Sequence, residues 1–134
     1  MTVSGEKIGI STLPRLHHPQ GGVDLITLWD GDVEILAEGP AWDSPRETVR
    51  VWGETLKGHA GSRSLHGPVW DVDLATTRYP GLRTRSLDIY RDHLEFAAEL
   101  GARYLVVHTH MYSAPIFNRS EASKFAGEAL STLA

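Results

Sequence analysis

The stretch LDIYRDHLEFAAELGARYLVVHTH, residues 87–110, constrains the fold more than any other part of the chain. Leu87, Tyr90, Leu94, Ala97 and Ala98 recur at helical spacing, Gly101 is placed to stop the helix, and the apolar run YLVV follows at once. A helix that passes through one glycine into a short apolar run predicts alternating helices and strands. The same order recurs upstream. KIGISTL, residues 7–13, reads as a first strand bounded by proline, and RLHHPQGG as a loop. VDLITLWDG is compatible with a short helix, and a second strand runs from Val33 to about Ala37. Ser44, Pro45 and Glu47 form a capping-box pattern that opens a helix with Val49, Trp52 and Leu56 on one face and Gly58 at its end. SRSLHGP, residues 62–68, reads as a third strand, Pro68 to Arg85 as a loop, and residues 104–110 as a fourth strand. A last helix spans residues 118–134, with Asn118 and Glu121 at capping spacing and Phe125, Ala129, Leu130 and Leu133 as its apolar positions. Alternation of this kind predicts an α/β fold with a four-stranded parallel sheet in one domain over residues 1–134.

Charge and cysteine content exclude several functions. The net charge of −4 offers no general attraction for polyanions, so nucleic acid is not an expected partner, and RYPGLRTR at 78–85 reads as a solvated loop. The absence of cysteine removes disulfides, thiolate metal sites and thiol nucleophiles. The first residues lack the apolar run of a signal peptide and no stretch reaches membrane-spanning length, so a cytoplasmic protein is expected and the NRS sequon at 118–120 is incidental. No phosphate-cradling glycine loop, nucleophile elbow or dinucleotide fingerprint occurs, so no nucleotide cofactor is expected.

The chemistry-bearing residues gather at strand ends. Period-two alternation puts Tyr104, Val106, His108 and His110 on one face of the fourth strand, and His66 closes the third strand beside it. Imidazole nitrogens suit zinc, iron, nickel or copper, and mixed imidazole and carboxylate sets suit manganese or zinc. Polar loops ordinarily carry carboxylates, so Glu38, Asp43, Asp71 and Asp73 are expected to have local structural roles. His17 and His18 fall in a loop, His59 follows a helix stop and His93 lies mid-helix; none is a strong candidate.

These residues resemble the first half of the xylose-isomerase-like TIM barrels, the superfamily of sugar isomerases, epimerases and endonuclease IV-type apurinic endonucleases. KIGIS resembles the first strand, DGDVEIL the second, LHGP the third, and RSLDIYRDHLEFAAELGARYLVVHTH the helix and histidine-ending strand that follow. The resemblance implies a (βα)4 half-barrel with His66 and His108 as ligands of a divalent metal (manganese, zinc or cobalt) or as substrate contacts. It implies that Glu34 projects toward the barrel mouth to hold a sugar hydroxyl or orient a ligand. Trp42 and Trp70 follow the second and third strands at similar offsets, where an aromatic can stack on a sugar face, cover the barrel mouth or meet another subunit. Two departures stand out. A full barrel takes about 250 residues, whereas this sequence stops after four units, before the strands from which the family draws most of its metal-binding and proton-moving glutamates. HTH also stands where relatives more often follow the histidine with Pro-Gly, which makes His110 an extra, substrate-facing group.

The expected function is therefore the N-terminal half-barrel of a divalent-metal-dependent sugar isomerase or epimerase, not catalytically complete alone. An open sheet with two free edges and an apolar inner face needs covering, so a homodimer closing an eight-stranded barrel is expected. A non-catalytic scaffold and a metal-dependent hydrolase using His108 and His110 are the alternatives.

Overall fold

The computed structural model describes residues 9–12, 23, 24, 26–76, 78–109 and 119–134. Four parallel strands, β1 (Gly9–Ser11), β2 (Asp32–Leu36), β3 (Arg63–His66) and β4 (Tyr104–Val106), pair in the order β1-β2-β3-β4. Helices α1 (Pro45–Thr55), α2 (Pro80–Glu99) and α3 (Arg119–Leu133) alternate with them. Parallel neighbours cannot be joined by a tight hairpin, so each connection must cross back over the sheet. This is the α/β half-barrel expected from the sequence. The parts of the expected first strand and loop at residues 7, 8 and 13–22, and the Asn118 cap, lie outside the described residues.

Alternation along β2 and β3 sorts the residues by face. Val33, Ile35 and Leu65 point toward the helices, where they are almost fully buried with Trp52, Leu56 and Leu100. Fully burying one such side chain contributes roughly 1.5–3 kcal/mol, so this layer is what holds sheet and helices together. A smaller cluster of Val72, Leu74, Tyr90 and Ala129 joins α3 to α2 and to the loop after β3. The opposite face of the sheet was expected to be apolar. There Ser11, Asp32, Glu34, Ser64 and Tyr104 line a shallow trough of about 330 Å³. Leu36, Tyr104 and Val106 share this face with them, so it is mixed in character rather than uniformly apolar.

Four local expectations change. The Ser44 side chain makes no capping bond, and Glu47 instead pairs with Arg50 at 2.7 Å, although α1 does begin at Pro45 and is followed by Gly58 at φ 80°. Helix α2 starts at Pro80, inside the stretch read as loop, because a proline in the first turn leaves no N–H that a helix would need to satisfy. Its buried stripe is Ser86, Tyr90, His93, Phe96 and Ala97, while Leu94 is 38% exposed. His93 replaces Leu94 inside because its Nδ1 donates to the Ile89 carbonyl at 2.7 Å and its ring packs between Trp42 and Phe96. Finally, β4 pairs only with β3 among the described residues, and as an edge strand it leaves Tyr104 62% exposed.

Arg63, the first residue of β3, donates to the Leu56 carbonyl at 2.7 Å and the Leu100 carbonyl at 3.0 Å. Those are the residues that end α1 and α2, so one guanidinium satisfies carbonyls left over at two helix C-termini. No described helix is long and apolar enough to cross a membrane.

At the other end of β3, Gly67 is required by space. A Cβ there would sit 2.7 Å from Tyr90 Cε1 and 2.9 Å from the Val106 carbonyl oxygen. Gly67→Ala is expected to destabilise the chain by about 1–3 kcal/mol through overpacking, read from urea unfolding midpoints. An unchanged midpoint would mean that the strand ends are not held this closely.

Candidate functional site

The register of β3 and β4 pairs His66 with Val106. His108, two residues beyond Val106, therefore faces the same way as His66 and lies beside it. Their Nε2 atoms are 2.6 Å apart, the ring planes differ by 6° and the centroids are 4.8 Å apart. The centroid separation exceeds the nitrogen separation by about two ring radii, so the imidazoles meet edge to edge rather than face to face. At this distance one nitrogen must donate and the other accept.

The chain behind His66 decides which. Glu34 Oε1 is 3.2 Å from His66 Nδ1, and Ser11 Oγ donates to the same carboxylate oxygen at 3.3 Å. A carboxylate on Nδ1 holds the proton there and leaves the Nε2 lone pair of His66 facing His108. His108 is then the donor of the pair. Burial, and next the charge that His66 would carry, hold the His108 pKa below the usual imidazole value, while Glu38 and Glu34 pull the other way. Burial and the neighbouring imidazole thus favour a neutral His108.

Tyr90 fixes the backbone on which His108 sits. Its fully buried hydroxyl accepts the His108 N–H at 2.9 Å and lies 2.7 Å from the Pro68 carbonyl and 3.0 Å from the His108 carbonyl. Burial pushes its pKa up to about 12, so the group works as a neutral hydroxyl. The sequence marks Tyr90 only as one position of an apolar helical stripe; the one available signal was a polar tip on a buried face, which has to find a partner.

The remaining candidates divide clearly. Glu38 accepts the Val69 N–H at 3.0 Å and the Trp70 N–H at 2.7 Å, and Asp73 accepts the Ala75 N–H at 2.9 Å, both local roles as expected. His59 Nε2 bonds the Gly31 carbonyl at 2.8 Å. Trp70 is 44% exposed and lines a cavity bounded by neither His66 nor His108. His17, His18 and His110 lie outside the described residues, and with His110 goes the His-x-His pair on which a hydrolase reading depends.

The donor types suit a borderline divalent ion, since a ligating imidazole commonly has a carboxylate on its other nitrogen. The number of donors does not suffice. A tetrahedral zinc at about 2.0–2.1 Å from both imidazoles needs their nitrogens roughly 3.3 Å apart, plus two further ligands. Among the described residues no group of three or more His, Asp or Glu side chains converges to hold a metal. By itself the pair supplies two imidazole donors, fewer than a closed metal site needs.

Two measurements probe this geometry. Between its lowered folded pKa and the unfolded value near 6.5, His108 binds fewer protons folded than unfolded, so its share of stability is full above about pH 6.5 and is lost as pH falls below it. Urea midpoints of metal-free protein should drop through that window, and His108→Gln should flatten the drop; an identical pH profile in the variant would contradict the assigned environment. Tyr90→Phe, which leaves backbone groups of His108 and Pro68 unpaired, should cost about 1–3 kcal/mol in the same assay.

No protein-family model matches the sequence, and no curated protein does. Solved structures do match. A D-tagatose 3-epimerase-like protein, 24% identical, superposes with a TM-score of 0.78 over 96% of this chain and 47% of its own. An L-ribulose 3-epimerase, 17% identical, gives 0.68 over 96% and 44%. A protein from Thermus thermophilus, in a structure soaked with ZnCl2, is 22% identical and gives 0.63 over 95% and 49%. The chain thus spans about half the length of the structures it matches, and its fold is that of one half of a TIM barrel like theirs.

Proposed function

We propose that this chain is a single-domain half-barrel forming one wall of a sugar-binding site, in a barrel that isomerises or epimerises a sugar with the help of a divalent metal. The observation that carries the reading is the edge-to-edge pair of His66 and His108 at the C-terminal ends of β3 and β4, the end at which barrels of this kind bear their sites. Support for the sugar comes from the neighbours, named as epimerases of ketoses; ketoses are accordingly the first substrates to test.

In this reading His66 and His108 hold the ion or a substrate oxygen, and Glu34 keeps the His66 lone pair aimed at them through Nδ1. A bound divalent ion would polarise a sugar carbonyl and acidify the neighbouring C–H. Exchange of that carbon-bound proton needs a base and an acid positioned on the two faces of the sugar. No acid–base pair is assigned among the described residues, so in this reading the chain works with the other half of a barrel, and a second copy placed across the β1 and β4 edges, unpaired among the described residues, is the arrangement proposed.

Native mass spectrometry of the chain, loaded in turn with manganese, zinc and cobalt, tests both parts at once. The expected species is a dimer with bound ion, and His66→Ala or His108→Ala should lower metal affinity by at least about tenfold while leaving the dimer intact. A monomer that binds no ion would remove both the assembly and the metal site. A dimer whose metal content ignores both substitutions would remove the histidines from the site and leave the architecture standing.

A further inference from the structure

A second cavity, of about 230 Å³, opens between the loops that follow β2 and β3, above α2, and neither histidine of the His66–His108 pair lines it. Trp42 and Trp70 form part of its wall, and Glu38, Asp43 and Asp71 contribute three carboxylates. Among the described residues no lysine or arginine lines it. Glu38 is committed to the Val69 and Trp70 amides, which anchors Trp70 at the rim. The carboxylates of Asp43 and Asp71 make no hydrogen bond or ion pair with any described residue.

An imidazole makes this more than an acidic patch. His93 is only 8% exposed, and it lines the cavity. Its Nδ1 is the donor to the Ile89 carbonyl, so in the neutral ring Nε2 carries the lone pair. That Nε2 has no partner among the described residues. It is not sealed off either, since no fully buried side-chain nitrogen or oxygen of the described residues lacks a partner. A deeply placed acceptor thus opens where the cavity meets α2.

We propose that this cavity binds a small organic cation with a primary ammonium or guanidinium head. Such a head carries several N–H donors for the two free carboxylates and the His93 lone pair, and the indoles favour a cation over a neutral group. The N-terminus of α1 lies close by and brings about half a positive charge, which falls well short of offsetting three carboxylates. An anion is therefore excluded as the occupant. The inference stands independently of the sugar reading, because it shares no residue with the histidine pair.

The test is a titration of the isotopically labelled chain with methylguanidinium chloride at constant ionic strength, following the Trp42 and Trp70 indole signals, the His93 ring and the Asp71 amide by NMR. Saturable shifts confined to these groups are expected, with affinity reduced at least about tenfold in the double variant Asp43→Asn with Asp71→Asn. Asparagine is chosen because Asp71 sits at φ 57°, a conformation that asparagine also tolerates. His93→Phe keeps a ring between Trp42 and Phe96 while removing the acceptor, and should weaken binding without loss of fold. His66→Ala should leave it unchanged. Shifts reproduced by sodium chloride alone, shifts that survive the double asparagine variant, or saturation by a neutral polyol where the cation gives none would each overturn the proposal.

Discussion

The site depends on the phase of two short strands. Because successive side chains alternate between faces, His66 and His108 meet only if Leu65 and Leu105 both face the helices. A slip of β4 by one residue would turn His108 toward the helices and bring Val107 to the front. What prevents the slip lies behind the sheet and at its end: Leu65 in the core, the Gly67 N–H on the Val106 carbonyl at 3.0 Å, and the Tyr90 hydroxyl on His108. Packing on one face thus sets the chemistry on the other.

The loop after β3 carries a disproportionate share of this positioning. Its Pro68 carbonyl meets Tyr90, its Val69 and Trp70 amides meet Glu38, and the Asp73 amide meets the Ser86 hydroxyl at 2.9 Å. Within it Asp71 is the one non-glycine residue with positive φ among those described. A loop tied at so many points can hold a residue in a sparsely populated conformation that a loosely held loop would relax.

Much of this was legible from residue spacing. The four strands, the helix stops at Gly58 and Gly101 and the placing of His66 beside His108 all follow from alternation and from glycine as a terminator. The failures have physical causes. Pro80 reads equally well as a loop residue or as the first residue of a helix, and only tertiary packing selects the second. His93 and Leu94 compete for one buried position, and hydrophobicity favours the wrong one because the Ile89 carbonyl and the Trp42 and Phe96 rings that satisfy His93 are invisible in a linear pattern. Glu34 stood out only through the family resemblance, and its bond to His66 Nδ1 required the register of β2 against β3, which spacing within one strand does not contain.

Arg63 and His66 stand at opposite ends of a strand of four residues, roughly 10 Å apart. The guanidinium joins two helix ends at the base of the fold, while the imidazole faces its partner at the rim. Substitutions at that distance without shared partners tend to act additively. Changes at the base that firm or loosen the scaffold therefore need not disturb the imidazole pair at the rim, a division of labour within a single short strand.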